Sequence, residues 1–137
     1  MKMNPVIHFE MPYEDRSRMA DFYAKTFGWQ PQMLGPEMGS YVVVTTTESD
    51  ENGPKQPGAI NGGFYEKTKE TQYPSVVVSV DDIKQAMKRV EEAGGKVLGG
   101  QTPGQPDDIP GVGLYVAIVD TEGNRVGMLQ AAPRTAG

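Results

Sequence analysis

The sequence predicts an α+β fold made of two copies of one β-α-β-β-β module, and three observations predict it. Two β-rich stretches, residues 6–12 and 74–80, each run directly into a segment of helical periodicity. Each helical segment ends on glycine, Gly28 in the first and Gly94-Gly95 in the second. Each is then followed by three shorter stretches of strand character, separated by Gly, Pro, Asp and Asn. The modules span residues 5–67 and 74–131 of a single 137-residue domain. Neither module alone gives both faces of its sheet a partner, so the two sheets are expected to pair, with the helices outside.

The first strand, Val6-Ile7-His8-Phe9-Glu10-Met11-Pro12, sets the frame. Strand alternation puts Ile7, Phe9 and Met11 on one face and His8 and Glu10, with Val6, on the other. His8 is the sole histidine of the chain. Glu14 or Asp15 is placed to accept from the free amides that open a helix. Met19, Phe22, Tyr23 and Phe27 form its apolar stripe, the natural cover for Ile7, Phe9 and Met11. Trp29 anchors the following strand, over residues 29–34. Residues 40–47 (SYVVVTTT) are β-branched and read as the clearest strand of this half, residues 48–58 as a loop, and residues 59–67 as a strand. Its Gly62-Gly63 pair marks either a close approach of backbone or ligand, or a bulge. Met33 and Met38 fill gaps between strands or line a ligand mouth.

Residues 67–73 are a polar link. A strand over 74–80 leads to Asp81-Asp82, where Asp82 and Gln85 have the spacing of a capping box. Ile83, Ala86, Met87, Val90 and Ala93 form the stripe of the second helix. Residues 96–98 are a short strand, 99–110 a loop, 113–119 a strand, 120–124 a turn and 125–131 the last strand.

Composition excludes several classes of function. No apolar run reaches the ~20 residues of a membrane span, and the opening residues lack the apolar core of a signal peptide, which predicts a cytoplasmic location. There is no cysteine, hence no disulfide framework, zinc ribbon or thiol nucleophile. A net charge of −5 and a pI near 4.8 argue against nucleic acid as a partner. No phosphate-binding glycine loop is present.

The residues Ile7-His8-Phe9-Glu10, Arg18, Phe22-Tyr23 and Phe27-Gly28-Trp29 have counterparts in a known family. So do Val78-Ser79-Val80-Asp81-Asp82, Ala93-Gly94-Gly95-Lys96-Val97 and Asp120-Thr121-Glu122-Gly123-Asn124-Arg125. Together they resemble the vicinal oxygen chelate superfamily, which holds glyoxalase I, extradiol dioxygenases, and bleomycin- and fosfomycin-resistance proteins. The resemblance runs from Val6 to Gln130 and is closest to a glyoxalase-related subgroup whose reactions are mostly unassigned. It implies a cup formed by the two sheets, a homodimer, and a divalent metal (Ni, Zn, Mn or Fe) held by one ligand from the first strand and one glutamate from the last strand of each half.

Carried over residue by residue, His8 takes the first ligand position. Its counterpart in the second half falls at or near Val77, which cannot ligate, and the two glutamate positions fall on Gly63 and Gly127. One ligand of four remains, and the missing carboxylates leave space. The resemblance therefore implies a protein that binds a small molecule in the cup without the usual metal and without glyoxalase I activity. His8 and Glu10 are its polar end and a candidate acid–base pair. Tyr41, Asn61, Gly63, Tyr65, Ser79 and Gly127 are its candidate ligand contacts, each dependent on strand register. Two other readings stand beside it. One is a divalent-metal lyase or dioxygenase that uses His8 with unusual partners. The other is a module that sequesters its ligand, as a resistance or regulatory protein does.

Overall fold

Alternation and capping fix where most elements begin and end. The structure, a computed structural model, describes residues 1–133. In chain order the elements are β1 (Val6–Tyr13), α1 (Arg16–Phe27), β2 (Gln30–Met33), a 3-10 turn (Pro36–Met38), β3 (Val42–Thr45), β4 (Ser49–Asp50), β5 (Gly53–Pro54) and β6 (Asn61–Glu66). They continue with β7 (Ser75–Ser79), α2 (Ile83–Glu92), β8 (Lys96–Gly99), β9 (Asp107–Ile109), β10 (Gly113–Val119) and β11 (Arg125–Ala131). The fold is α+β, and the chain divides into two compact units, Ile7–Ser75 and a second made of Met1–Val6 with the chain from Val76 onward.

In the Ile7–Ser75 unit the strand order is β2-β3-β6-β1, with β1 parallel to β6 and the other pairs antiparallel. Asp15 caps α1, its carboxylate accepting from the Arg18 amide at 3.0 Å, and Gly28 ends the helix in the left-handed region at φ 74°. The core holds Tyr13, Val42, Val44 and Phe64, with Phe9, Met11, Met19, Tyr23 and Trp29 packed against it. Tyr23 and Trp29 stack with ring centroids 4.8 Å apart, which is the anchoring expected of Trp29.

The α1 stripe is corrected. Met19 and Tyr23 pack inward, but Phe22 and Phe27 are 57% and 61% exposed, and the buried residue of the helix is Ala20. The outer phenylalanines still touch their aromatic neighbours: Phe22 meets Tyr23 edge-on with centroids 5.0 Å apart, and Phe27 lies tilted on Trp29 at 5.8 Å. The segment 48–58 also departs from a plain loop: β4 and β5 form a two-residue-wide hairpin.

In the second unit the order is β8-β10-β11-β7, the same path as in the first, with β9 pairing β10 beside its opening residues. Residues 107–109 are thus a strand inside what the composition presents as loop. Asp82 caps α2, accepting from the Gln85 amide at 3.1 Å, while the Ile83 amide donates to Gln130 Oε1 at 2.9 Å. Ile83 and Ala86 are buried with Val80, Val116 and Met128, and Met87 and Val90 pack beside them; Ala93 is the exposed C-cap. The turn before β11 is built by Asp120. Its Oδ1 accepts from the amides of Glu122 and Asn124 at 2.8 and 2.9 Å, and its Oδ2 from Asn124 Nδ2 at 3.0 Å. The Asn124 side chain and these amides hold the Asp120 carboxyl below the usual carboxylate range.

Candidate functional site

Register brings the polar face of β1 onto two strands of its own unit. His8 lies opposite Asn61 and Glu10 opposite Gly63 on β6, and Gly63 lies opposite Val43 on β3. Tyr41 is two residues before Val43, so it sits diagonally from Gly63 on the same face. With no side chain at position 63, the Tyr41 ring lies directly over that backbone. A Cβ built at Gly63 would collide with the Tyr41 hydroxyl and ring. The phenol reaches both polar residues of β1: Tyr41 Oη is 2.9 Å from His8 Nε2 and donates to Glu10 Oε2 at 3.0 Å. All three residues are half-buried.

The turn before β3 aims Tyr41. Ser40 has φ 54°, the left-handed region that L-residues with a Cβ avoid by about 1–2 kcal/mol. Its carbonyl accepts from the Tyr13 hydroxyl at 2.9 Å and from Arg16 Nη1 at 3.3 Å, and Arg16 Nη1 also donates to the Leu34 carbonyl at 2.7 Å.

The other expected contacts are placed as follows. Asn61 shares the His8 face but ties down the chain after β3: its Oδ1 accepts from the Thr46 amide and its Nδ2 donates to Ser49 Oγ, both at 2.9 Å. The Tyr65 hydroxyl donates to the Tyr73 carbonyl at 3.0 Å. Gly62 faces the core, and the Phe9 ring fills the space its side chain would take. Pairing of β1 with β6 is continuous through both glycines, so the pair marks close approach on two faces and no bulge. Ser79 and Gly127 belong to the second unit, where Ser79 pairs with Leu129 and Gly127 with Val77.

The second unit repeats the tyrosine-over-glycine arrangement. Tyr115 is two residues before Ala117, which lies opposite Gly127, and a Cβ at Gly127 would lie 2.7 Å from the Tyr115 ring. Tyrosine rings therefore occupy the two positions where the missing carboxylates are expected to leave open space. Register also corrects the counterpart of His8. Val77 pairs with Gly127 as Glu10 pairs with Gly63, so Val77 matches Glu10 and Ser75 matches His8. Each tyrosine stands two positions before the residue that faces a glutamate-position glycine, a relation that only the strand register reveals.

Burial pushes the His8 imidazole below its ordinary value, because desolvation penalises the charged ring. A divalent ion does not fit this set. Among the described residues no three of His, Asp and Glu converge as metal ligands. The His8 Nε2 and a Glu10 oxygen, the two donors at hand, are joined to each other through the Tyr41 hydroxyl.

The profile of the Glyoxalase/Bleomycin resistance protein/Dioxygenase superfamily matches residues 6–128. The chain belongs to that superfamily. No curated protein matches it in sequence. Solved structures share the superfamily fold at low identity. A hypothetical protein of Bacillus halodurans C-125 is 11% identical, with TM-score 0.66 and coverage of 99% of this chain and 100% of that one. Methylmalonyl-CoA epimerase of Streptomyces coelicolor, in complex with 2-nitronate-propionyl-CoA, is 14% identical, with TM-score 0.67 over 96% of this chain and 100% of that one. The Mycobacterium tuberculosis methylmalonyl-CoA epimerase is 12% identical, with TM-score 0.63 over 93% and 88%. At such identities the likeness is one of fold. No helix among the described residues of this superfamily member is long and apolar enough to cross a membrane.

Proposed function

We propose that this protein binds a small carbonyl compound against the His8–Tyr41–Glu10 face and moves a proton at carbon without a metal. The observation that carries the reading is the hydrogen-bonded chain from imidazole through phenol to carboxylate. Desolvation favours the neutral imidazole at pH 7, the form that acts as a base. In the step proposed, the C–H bond next to the carbonyl breaks, its electron pair passes to the carbonyl as an enolate, and the proton goes to the imidazole. The imidazolium so formed is stabilised by donating to Tyr41, which donates to Glu10. Return of the proton to carbon restores both partners, so no oxidant or reductant is needed. Methylmalonyl-CoA epimerase, named among the fold neighbours, supports carbon acids of the acyl-thioester kind as the first candidates.

The test is exchange in heavy water. Methylmalonyl-CoA, acetyl-CoA and simple 2-oxo acids are incubated with chelator-treated protein, and loss of the C–H proton signal is followed by NMR. A base in place is worth about 10²–10⁴-fold, so His8→Gln is expected to lower the exchange rate by that factor. Exchange that persists in His8→Gln, or appears only on adding a divalent metal, overturns the reading. Tight binding of a probe with no exchange favours sequestration instead. The hemithioacetal of methylglyoxal and glutathione is expected to remain unconverted.

A further inference from the structure

We infer that Tyr41 is a positioning residue that fixes which nitrogen of His8 carries the hydrogen, and that Ser40, Tyr13 and Arg16 hold it in place. The consequence for catalysis rests on the reading proposed above; the assignment itself rests on geometry. A phenol has one proton to give. Tyr41 commits it to Glu10 Oε2 at 3.0 Å, so its oxygen is the acceptor toward His8 Nε2 at 2.9 Å. Nε2 therefore bears the hydrogen and Nδ1 the lone pair. Nδ1 makes no hydrogen bond among the described residues, which leaves it as the nitrogen that takes a proton from substrate.

The holding device lies outside the chain of three. The Ser40 carbonyl receives two side-chain donors, Tyr13 Oη and Arg16 Nη1, just before Tyr41. The Ser40 amide donates to the Gly35 carbonyl at 3.0 Å, and the Leu34 amide donates to the Tyr41 carbonyl at 2.9 Å. The backbone on both sides of Tyr41 Cα is thus fixed, with Ser40 in the left-handed region. On the far side, Gly63 provides the only kind of floor that admits the ring. A tyrosine held merely to fill space over a glycine has no need of the carboxylate that takes its proton.

The sole histidine makes the test unambiguous. A long-range ¹H–¹⁵N spectrum of the full-length, ¹⁵N-labelled protein at pH 8 reads the tautomer directly. The expected wild-type result is a pyrrole-type Nε2, a pyridine-type Nδ1 and an observable Nε2–H proton protected from exchange. Tyr41→Phe keeps the ring over Gly63 and removes the acceptor. Its Nε2–H signal should be lost to exchange and its two nitrogen shifts should move toward those of a tautomer mixture. Glu10→Ala, a second variant that leaves the ring untouched, should move them the same way. Arg16→Ala should do so to a smaller extent, and Arg16→Lys should restore the wild-type spectrum. Hydrogen on Nδ1 in the wild type, or Tyr41→Phe and Glu10→Ala spectra identical to it, overturns the assignment. The spectrum needs no substrate, so failure here and failure of the exchange experiment are separate results.

Discussion

Gly62→Ala is expected to destabilise the fold, and Gly63→Ala to dismantle the site. Neither glycine has a positive φ, so the backbone itself accepts alanine. Such a change gains about 0.4–1 kcal/mol by restricting the unfolded chain. At Gly62 the new Cβ would lie 2.5 Å from three carbons of the Phe9 ring. That ring packs against Trp29, with centroids 5.4 Å apart, and against the core. Overpacking of this kind costs about 1–3 kcal/mol, so the net change is a loss. Phe9→Leu in the Gly62→Ala background should recover part of it, and urea unfolding of the two single variants and the double closes the cycle. At Gly63 the obstacle is the free end of the Tyr41 ring, which yields by swinging away. Stability should change less, while the His8 spectrum should come to resemble that of Tyr41→Phe. Equal stability losses at the two positions, with the His8 spectrum unchanged, would contradict the assignment of the glycines to two faces.

Phe64→Ala is expected to cost about 3–5 kcal/mol, a large share of the 5–15 kcal/mol typical of a domain. Phe64 is 1% exposed and packs on Tyr23, with ring centroids 5.5 Å apart. It follows Gly63 on β6 and pairs with Met11 and Val42, so the strand that floors the site is held from beneath by this ring. Phe64→Leu leaves a smaller void and should keep the His8 spectrum of the wild type. A thermal or urea denaturation series separates the two. A loss under about 1 kcal/mol for Phe64→Ala would mean that the core collapses to fill the space.

Much of this architecture was legible because period-two and helical patterns are written in local sequence. The strand over 113–119, the Asp120 turn and the strand over 125–131 match residue for residue, since alternation, an Asx-type turn and a left-handed glycine at Gly123 all act locally. The exposure of Phe22 and Phe27 was not legible. Helical spacing identifies a stripe, but the residue of α1 that is buried is Ala20, which carries little hydrophobic signal. The short strands β4, β5 and β9 were hidden in segments rich in Gly, Pro and Asp, where only pairing with a neighbour creates them. His8 and Glu10 could be placed on one face from alternation alone. The role of Tyr41 could not, because it depends on the β3–β6 register and on the left-handed turn at Ser40, and a non-glycine residue gives no local sign of that conformation.

The lowered affinity of His8 for a proton also ties stability to pH. Between the folded-state value and the ordinary 6.5, the unfolded chain binds more protons than the folded one, so stability declines as pH falls through that window and is unaffected by this group above it. Tyr41 Oη meets the ring from the residue preceding β3 and donates in turn to Glu10 of β1, while desolvation favours the neutral imidazole. The most direct test of that claim is an NMR titration of the His8 ring C–H signals in the wild-type protein. The expected midpoint lies below 6.5, with the Nε2–H proton visible throughout the neutral range. A midpoint at or above 6.5 would mean a ring that is charged or freely solvated, and would contradict the account of His8 as a half-buried, neutral base.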